Sequence, residues 1–293
     1  MSVTGGLVML SEMLPNLPPS EKKIASYILD HPEEAVSLTA SELGKRSLTS
    51  GAAVIRLCKS LNLKGFQELK LRIAGDLQKN DDVGFRDIEP EESQLSLIQK
   101  MTNNTIQTIK ETAEILRSEE LSKAVNAVKK AKTIHFFGVG ASGIIALDAQ
   151  QKFLRIDKTA TAFSDVHLVA TLIANAHKDD VVVGISFSGE TIEVAKILEL
   201  ANEKGITTIS LTRYGTSLVT ERADIRLYTS ATREATHRSG ATSSRMAQLH
   251  VIDILFMCVV AQAYDETIMR LDETREVIHS LRKGLGKPNR KKG

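Results

Sequence analysis

The first 77 residues place apolar side chains at helical spacing, in short runs separated by polar breaks. In the run EKKIASYILDH, Ile24 and Ile28 lie about one helical turn apart and predict a short amphipathic helix. Thr39, followed three residues later by Glu42, has the form of a capping box and predicts the start of another helix. The pattern therefore predicts an all-helical N-terminal region.

The segment SLTSGAAVIRLCKSLNLKGFQELK predicts a tight turn followed by a further helix, with Thr49 or Ser50 as its N-terminal cap. The face of this helix that is predicted to be buried consists of Val54, Leu57, Cys58 and Leu61. Off that face, small residues at the helix start are followed by basic residues. Two short helices joined by a tight turn, with this distribution on the second, describe a helix-turn-helix.

A recognition helix enters the major groove of DNA with its N-terminal residues nearest the base edges, so small residues there permit close approach. The predicted DNA-contacting residues are Thr49, Ser50, Gly51, Ala52, Ile55, Arg56, Lys59 and Lys64. An ordinary amphipathic surface helix is the alternative interpretation. The capped helix and tight turn that precede this helix favour DNA binding.

From about residue 118 onward, short apolar runs alternate with helical patterns. The predicted strands are TIHFFGVG, TATAF, DDVVVGIS, TTISLT and IRLY. Strand, turn, helix and strand in succession imply right-handed crossovers and a parallel sheet covered on both faces. The predicted fold class is therefore an all-α N-terminal domain joined to a doubly wound, flavodoxin-like α/β domain.

Changes in composition divide the chain into four predicted parts. These are a helix-turn-helix domain over 1–77, a polar linker over 78–94, the α/β domain with flanking helices over 95–283, and a basic tail, predicted to be disordered, over 284–293. A helix is predicted over 94–117, with one apolar face formed by Leu95, Ile98, Met101, Thr105, Ile109 and Ala113. This helix can pack on its own domain or on a partner chain.

Two strand-to-helix turns in the α/β part are rich in glycine and hydroxyl side chains. Such turns end a strand and begin a helix, where free backbone N–H groups favour an anion such as phosphate. The predicted ligand contacts are Gly138, Gly140, Ala141, Ser142, Ser186, Phe187, Ser188, Gly189, Glu190 and Thr191. A dinucleotide site is less favoured, because only the late Asp165 is available for a ribose contact. The remaining alternative is a pair of well-capped turns with nothing bound.

The composition and the cysteine content indicate which compartment and which class of protein to expect. The chain has 293 residues, 42% of them hydrophobic, a net charge of +2 and two cysteines, Cys58 and Cys258, in apolar helical patterns. These cysteines form neither a disulfide framework nor a metal set, so we expect a cytoplasmic protein with no metal and no cofactor. The sequence pattern predicts neither a signal peptide nor a membrane span.

Together, the turn at 138–143 and the S-x-S-G-x-T arrangement at 186–191 resemble a sugar isomerase (SIS) domain. Joined to the N-terminal helix-turn-helix, they resemble the MurR/RpiR family of bacterial transcription regulators over nearly the whole chain. The resemblance implies that a phosphosugar bound to the SIS domain modulates operator binding by a homodimer or homotetramer. It also implies that Ser142, Ser186, Ser188 and Thr191 contact the phosphate.

The segment THRSGATSSRMAQLHVIDILF looks most like that of regulators of N-acetylmuramic acid use. The resemblance adds Arg238, Ser239 and Arg245 to the candidate ligand contacts and makes N-acetylmuramic acid 6-phosphate, or a related phosphosugar, the expected effector. A lactyl carboxylate is a group that an arginine holds with two parallel hydrogen bonds. Arg238 is the first candidate for that contact and Arg245 the second.

A SIS isomerase or lyase needs a general acid or base within hydrogen-bond reach of the sugar. The residues available by type are Glu190, Glu193, Glu234, His135, His167 and His237, and none stands in a catalytic motif. We therefore expect a sensor with no catalytic residues, and a repressor rather than an activator. A phosphosugar isomerase or lyase with an accessory helical domain is the alternative, and a scaffold without either activity is a third class.

Overall fold

The computed structural model describes residues 5–77, 91–231 and 241–284, with side chains up to residue 281. Its N-terminal region is helical, as predicted. The six helices of this region are α1 (Gly6–Met13), α2 (Pro19–Asp30), α3 (Pro32–Ser37), α4 (Ala40–Arg46), α5 (Gly51–Ser60) and α6 (Phe66–Leu77).

Local sequence signals account for the turn between α4 and α5. The Thr39 side chain accepts from the Glu42 backbone N–H while the Glu42 carboxylate accepts from the Thr39 N–H, which confirms the capping box. Ser50, rather than Thr49, caps α5 through the Ala53 N–H. The predicted buried face is confirmed, because Val54, Leu57, Cys58 and Leu61 are all fully buried.

A five-stranded parallel sheet forms the centre of the C-terminal region, with the strand order β2-β1-β3-β4-β5. The strands are β1 (Thr133–Gly138), β2 (Thr159–Ala162), β3 (Val181–Ile185), β4 (Thr207–Arg213) and β5 (Ile225–Thr229). This order is that of a doubly wound flavodoxin-like sheet, so the predicted fold class is confirmed. Gly138 pairs with Ile185, which places the ends of β1 and β3 side by side.

Helices surround this sheet and connect its strands. They are α7 (Gln94–Ile115), α8 (Ser118–Lys130), α9 (Ala141–Leu154), α10 (Val166–Ala174), α11 (Ile192–Glu203), α12 (Ser243–Gln262) and α13 (Tyr264–Gly284). The sequence pattern did not predict α10, which Asp165 caps. By length and composition α12 is also long and apolar enough to cross a membrane, although Val251, Ile252 and Leu255 pack into the sheet core.

The long helix α7 was predicted correctly, and within this chain it buries a different face from the apolar one that its sequence indicates. Packing of that apolar face on a partner chain stays a prediction. Its buried residues against α12 and β5 are Asn104, Thr108, Glu111, Thr112 and Ile115. Three of the six residues of the predicted apolar face are exposed, with Leu95 and Ile98 about two-thirds exposed and Ala113 also exposed, and the other three are half-buried. Two of these polar residues have partners from Ser230, whose N–H donates to Thr112 Oγ1 and whose Oγ contacts the Glu111 carboxylate.

The helical region packs directly on the end of the sheet. Tyr214, which follows β4, and Tyr228 in β5 belong to the same hydrophobic cluster as Met9, Met13 and the buried face of α5. The two tyrosine rings lie 5.0 Å apart. The two regions therefore share one core, formed at the edge where the strands end.

The half-buried carboxylate of Glu12 on α1 adds a polar contact to this junction. Glu12 accepts a hydrogen bond from the Ala231 N–H, and its carboxylate lies 3.1 Å from Ser230 Oγ, whose single proton it shares with Glu111. Burial is the main cause that raises the pKa of Glu12 to about 7, and Glu111 acts in the same direction, while the two hydrogen bonds and Arg213 oppose the shift. Folding therefore takes up a proton at Glu12 in neutral and mildly acidic solution.

We expect wild-type stability to fall relative to that of Glu12→Gln as the pH rises from about 4.5 to about 7. A carboxyl whose pKa is higher in the folded than in the unfolded state contributes its full stabilisation at pH values below the unfolded pKa. That stabilisation is lost as the pH rises through the folded pKa. The relative loss in unfolding free energy should approach about 3 kcal/mol. Urea unfolding at intervals of about one pH unit, from about pH 5 to about pH 8, measures this loss. The exposed Glu33→Gln is the control, and parallel curves for wild type and Glu12→Gln would contradict the expectation.

Candidate functional site

The first candidate turn connects β1 to α9. Gly138 lies so close to the following helix that an added Cβ would be 2.7 Å from the Ser142 carbonyl carbon and 2.9 Å from the Ile185 carbonyl oxygen. Gly140 has φ of 60°, a conformation that strongly favours glycine. Backbone geometry therefore requires glycine at both positions. Because glycine has no side chain, neither residue covers the start of α9.

The second candidate turn connects β3 to α11 and is closed by its own hydroxyls. Ser186 Oγ lies 2.7 Å from Thr191 Oγ1 and accepts from the Gly189 N–H at 3.2 Å. Ser188 Oγ accepts from the Glu190 N–H at 3.2 Å. Ser186 is buried and holds the shape of the turn, whereas Ser188 is half-buried and Glu190 is exposed. Ser188 is thus the more accessible of the two serine hydroxyls.

The two turns lie side by side because β1 and β3 are neighbours in the sheet. Ala141 and Ser142 begin α9, and Thr191 is the N-cap of α11, so both helix N-termini open on the same edge of the sheet. Phe187 is buried between the two serines of the second turn. All ten ligand contacts predicted from the two turns are therefore gathered at one edge of the sheet.

Sequence inspection missed Gln248, a buried polar residue of α12. Its side-chain amide lies 3.3 to 3.4 Å from the Ser142 hydroxyl, which is also buried. An amide that both donates and accepts can hold this serine in either hydroxyl orientation. Gln248 lies in an apolar helix without a motif, so only its position opposite Ser142 reveals the contact.

The muramic acid resemblance added three candidates from the segment around the start of α12. Arg238 and Ser239 lie outside the described residues. Arg245 lies in the first turn of α12, where Nε and Nη2 donate to the Ala241 carbonyl at 2.9 and 2.7 Å. Its side chain is half-buried and bends back over the helix start. The sequence segment therefore brings at least one arginine to the beginning of a core helix.

Three of the candidate acids and bases lie outside the two turns, whereas Glu190 lies in the second turn itself. His135 lies within β1, where Nδ1 is 2.9 Å from Thr161 Oγ1 and Nε2 is 3.6 Å from the Asp180 carboxylate. Burial lowers the pKa of His135, although Asp180 opposes that shift. His135 is therefore a buried sheet residue away from the turns. Glu193 and His167 are exposed at the starts of α11 and α10, and Glu234 and His237 lie outside the described residues.

The predicted recognition helix α5 presents the expected surface. Ser50, Ala52, Ile55, Arg56 and Lys59 are exposed, and Gly51 is half-buried. The remaining two candidates are Thr49 and Lys64. The Thr49 hydroxyl is engaged within the turn, 3.0 Å from Ser47 Oγ and 3.3 Å from the Gly44 carbonyl, and Lys64 is exposed beyond the C-terminal end of α5.

A shallow groove of about 370 Å³ runs between the start of α2 and the α4–α5 turn. Its lining includes Lys23 of α2 and Arg56 of α5, both exposed, together with Leu48, Thr49 and Ser50. Neither Lys23 nor Arg56 forms an ion pair with any described residue. The groove therefore offers two available cations beside the small residues that begin α5.

We expect Arg56→Ala and Lys23→Ala to weaken DNA binding and to lower its salt dependence. Each cation that contacts a phosphate releases a counterion from the DNA, so each lost contact reduces the number of ions released. The plot of log K against log salt has a negative slope, whose magnitude should decrease by about 0.9 for each phosphate interaction that a substitution removes. Fluorescence anisotropy over a salt series measures this slope. Lys22→Ala is the matched control, since Lys22 is an exposed neighbouring lysine that does not line the groove. An unchanged slope for Arg56→Ala would show that α5 does not face DNA as predicted.

Comparisons with known protein families match both parts of the chain. Residues 4–80 match the helix-turn-helix domain of the rpiR family. Residues 127–258 match the SIS domain. The first match contains α4 and α5, and the second contains both candidate turns and Gln248.

Individual relatives share this two-part organisation. The chain is 54% identical over 279 residues to the HTH-type transcriptional regulator YbbH of Bacillus subtilis, covering 95% of this chain and 99% of YbbH. It is 31% identical over 249 residues to the HTH-type transcriptional regulator HexR of Pseudomonas aeruginosa, covering 85% and 87%. Among solved structures, Vibrio vulnificus NanR complexed with ManNAc-6P is 26% identical with a TM-score of 0.60, covering 94% and 98%.

Proposed function

The chain belongs to the rpiR family of helix-turn-helix transcriptional regulators that carry a SIS domain, and from that premise we propose that a phosphosugar regulates its operator binding. The observation that carries the proposal is the pair of adjacent turns at the ends of β1 and β3. Both turns direct a helix N-terminus and hydroxyl side chains toward one edge of the sheet, an arrangement suited to a phosphate group. NanR, a similar protein over nearly the whole chain, was solved in complex with ManNAc-6P.

In this proposal Ser142, Ser186, Ser188 and Thr191 surround the phosphate. Ser188 and Thr191 supply hydroxyl bonds, and the N–H groups at the starts of α9 and α11 supply the others. Gln248 orients the Ser142 hydroxyl. The remaining predicted contacts provide the glycine backbone of the two turns and their flanking side chains.

We propose N-acetylmuramic acid 6-phosphate as the effector. Its lactyl carboxylate matches an arginine at the sheet edge, and Arg245 lies at the start of α12, whose Gln248 contacts the first turn. Arg245 precedes Gln248 by about one helical turn, so both side chains can serve the same end of the sheet. Arg238 and Ser239, in the segment just before α12, complete the proposed sugar contacts.

We expect the protein to bind N-acetylmuramic acid 6-phosphate more tightly than N-acetylglucosamine 6-phosphate, which lacks only the lactyl group. A charge-assisted pair accounts for a preference of roughly tenfold or more. Calorimetric titration of wild type, Arg238→Leu and Arg245→Leu measures the preference. It should collapse in one variant while phosphate-dependent binding remains. Equal affinities of wild type for both phosphosugars would remove the muramic acid assignment and leave phosphosugar regulation intact.

The proposal has no catalytic step. SIS domains also occur in isomerases, so the alternative is tested by incubating the full-length protein with the phosphosugar and following its consumption by phosphorus NMR. We expect the phosphosugar to remain unchanged over hours at a protein concentration that saturates operator DNA. Conversion of the phosphosugar in proportion to protein concentration would favour an isomerase or lyase.

We also propose that the regulator acts as a cytoplasmic repressor and as a homo-oligomer. A repressor released by its sugar avoids synthesis of catabolic enzymes when the sugar is absent. The exposed side chains Leu95, Ile98 and Ile106 on α7 are apolar and favour contact with a second copy of the chain. A homodimer or homotetramer would also match a two-fold operator.

A further inference from the structure

The C-terminal end of recognition helix α5 is capped by residues from the sheet region. The Tyr214 hydroxyl donates to the Leu61 carbonyl at 2.6 Å, within a buried contact. Arg117 Nη1 donates to the Asn62 carbonyl at 3.1 Å. These carbonyls belong to Leu61, the C-cap of α5, and to Asn62, the residue after it, so both donors hold the chain where it leaves the helix. The orientation of this end of α5 is thus fixed by the sheet region.

Tyr214 is also adjacent to a backbone bond that reaches the second candidate turn. The Arg213 N–H donates to the Phe187 carbonyl at 2.9 Å, between the two serines of the turn. The Tyr214 N–H donates to the Thr229 carbonyl at 3.0 Å. A bond to the turn and a bond to the end of α5 are therefore made by consecutive residues.

A second set of contacts joins the turn to the segment after Tyr214. The Val219 N–H donates to the Gly189 carbonyl at 2.9 Å. Ser217 fills the space beside Gly189 so closely that a Cβ added to Gly189 would collide with the Ser217 side chain. Because of this close fit, a shift of the turn requires a shift of residues 213–219.

We propose that the Tyr214 hydroxyl transmits occupancy of the Ser186–Thr191 turn to recognition helix α5. This inference rests on the proposed function, in which a phosphate occupies that turn. A bound phosphate competes for the Ser188 hydroxyl and the Glu190 N–H, which bond to each other in this structure. When the turn adjusts, the Phe187 carbonyl moves with it and shifts Arg213. Tyr214, the next residue, therefore holds the end of α5 differently in the two states. The effector acts through this difference, because a ligand shifts an equilibrium only by its preference for one state.

Tyr228 provides a matched control for Tyr214. Both rings are nearly fully buried in the same cluster, with centroids 5.0 Å apart. Only the Tyr214 hydroxyl bonds to Leu61, and the Tyr228 hydroxyl has no hydrogen-bond partner among the described residues. Tyr228→Phe therefore removes the same atom from the same cluster without removing the bond to α5.

The first test measures the operator dissociation constant of the full chain with and without N-acetylmuramic acid 6-phosphate. The ratio of the two constants should fall toward one by about threefold or more in Tyr214→Phe, the loss expected from one hydrogen bond that differs between states. Tyr228→Phe should keep the wild-type ratio. Calorimetry should show that Tyr228→Phe binds the phosphosugar as wild type does, and that Tyr214→Phe still binds it with an affinity changed by no more than the factor lost from the ratio. A wild-type ratio in Tyr214→Phe would overturn the proposal.

The second test does not depend on the identity of the effector. Coupling is reciprocal, so duplex DNA added at low salt should alter amide hydrogen exchange in residues 186–191. We expect this response in wild type and Tyr228→Phe but not in Tyr214→Phe. A response that is the same in all three proteins, or absent from all three, would overturn the relay. If the exchange pattern is as expected while the phosphosugar leaves operator affinity unchanged, the proposed effector fails and the relay stands.

Discussion

Gly44→Ala should strongly weaken operator binding while leaving the sheet region folded. Gly44 lies in α4, and a Cβ built there would be 2.5 Å from the Ser50 carbonyl carbon and 2.6 Å from the Gly51 nitrogen. These are backbone atoms at the start of α5, so the contact cannot be relieved by rotating a side chain. The Gly44 carbonyl also accepts from the Thr49 N–H at 2.7 Å, and this bond is part of the same turn. The substitution therefore forces α4 and α5 apart.

The expected cost in unfolding free energy is about 1 to 3 kcal/mol, typical of overpacking, with a loss of operator affinity of roughly tenfold or more. Urea unfolding and fluorescence anisotropy measure the two effects. Gly65→Ala is the matched control, since a Cβ at Gly65 would meet no atom within 4 Å. Its stability and DNA binding should stay close to those of wild type. Wild-type DNA binding by Gly44→Ala would contradict the described packing of the two helices.

Ser188→Ala should lose roughly tenfold or more in affinity for the phosphosugar, because a hydroxyl bond to a dianion contributes about 1.5 to 3 kcal/mol. The half-buried Ser188 bonds only to the neighbouring Glu190 N–H among the described residues, so its removal should leave the fold intact. Ser186→Ala should in addition loosen the turn, since Ser186 bonds to both Thr191 and Gly189. The unphosphorylated sugar should bind poorly to every variant.

Calorimetry on wild type, Ser188→Ala and the exposed control Ser118→Ala tests this expectation. Circular dichroism and urea unfolding establish that each variant is folded. Equal affinities for the sugar with and without its phosphate would show that the two turns do not form the phosphate site. Reduced affinity in Ser118→Ala as well would indicate a general effect on the fold.

Elements with a strong local signal could be predicted from the sequence. The buried face of α5 follows from helical spacing, the start of α4 follows from the Thr39–Glu42 pair, and the five strands follow from apolar runs that end in turn residues. The meeting of the two turns at the ends of β1 and β3 could also be predicted, from the geometry of a parallel sheet. Parallel strands place their carboxyl ends at one edge, so two glycine-rich turns on neighbouring strands meet there.

Features that depend on distant neighbours could not be predicted in this way. The Ser142–Gln248 contact joins residues 106 positions apart, and the Tyr214–Leu61 bond joins residues 153 positions apart. The apolar spacing along α7 did not reveal the face that is buried within the chain, because Glu111 and Thr112 are buried there through bonds from Ser230, the residue after β5. Burial of a polar side chain is determined by its partner rather than by its own spacing.

A phosphosugar should change operator affinity without being consumed. The most direct measurement titrates the full-length protein against a fluorescent duplex of the promoter adjoining its own gene, with and without N-acetylmuramic acid 6-phosphate, and assays the same samples for remaining phosphosugar. We predict a change in operator dissociation constant of about fivefold or more, in the range of typical allosteric coupling, with the phosphosugar recovered intact. Operator affinity that is unaffected by this and related phosphosugars, or steady depletion of the phosphosugar during the titration, would contradict regulation by a bound and unconverted effector.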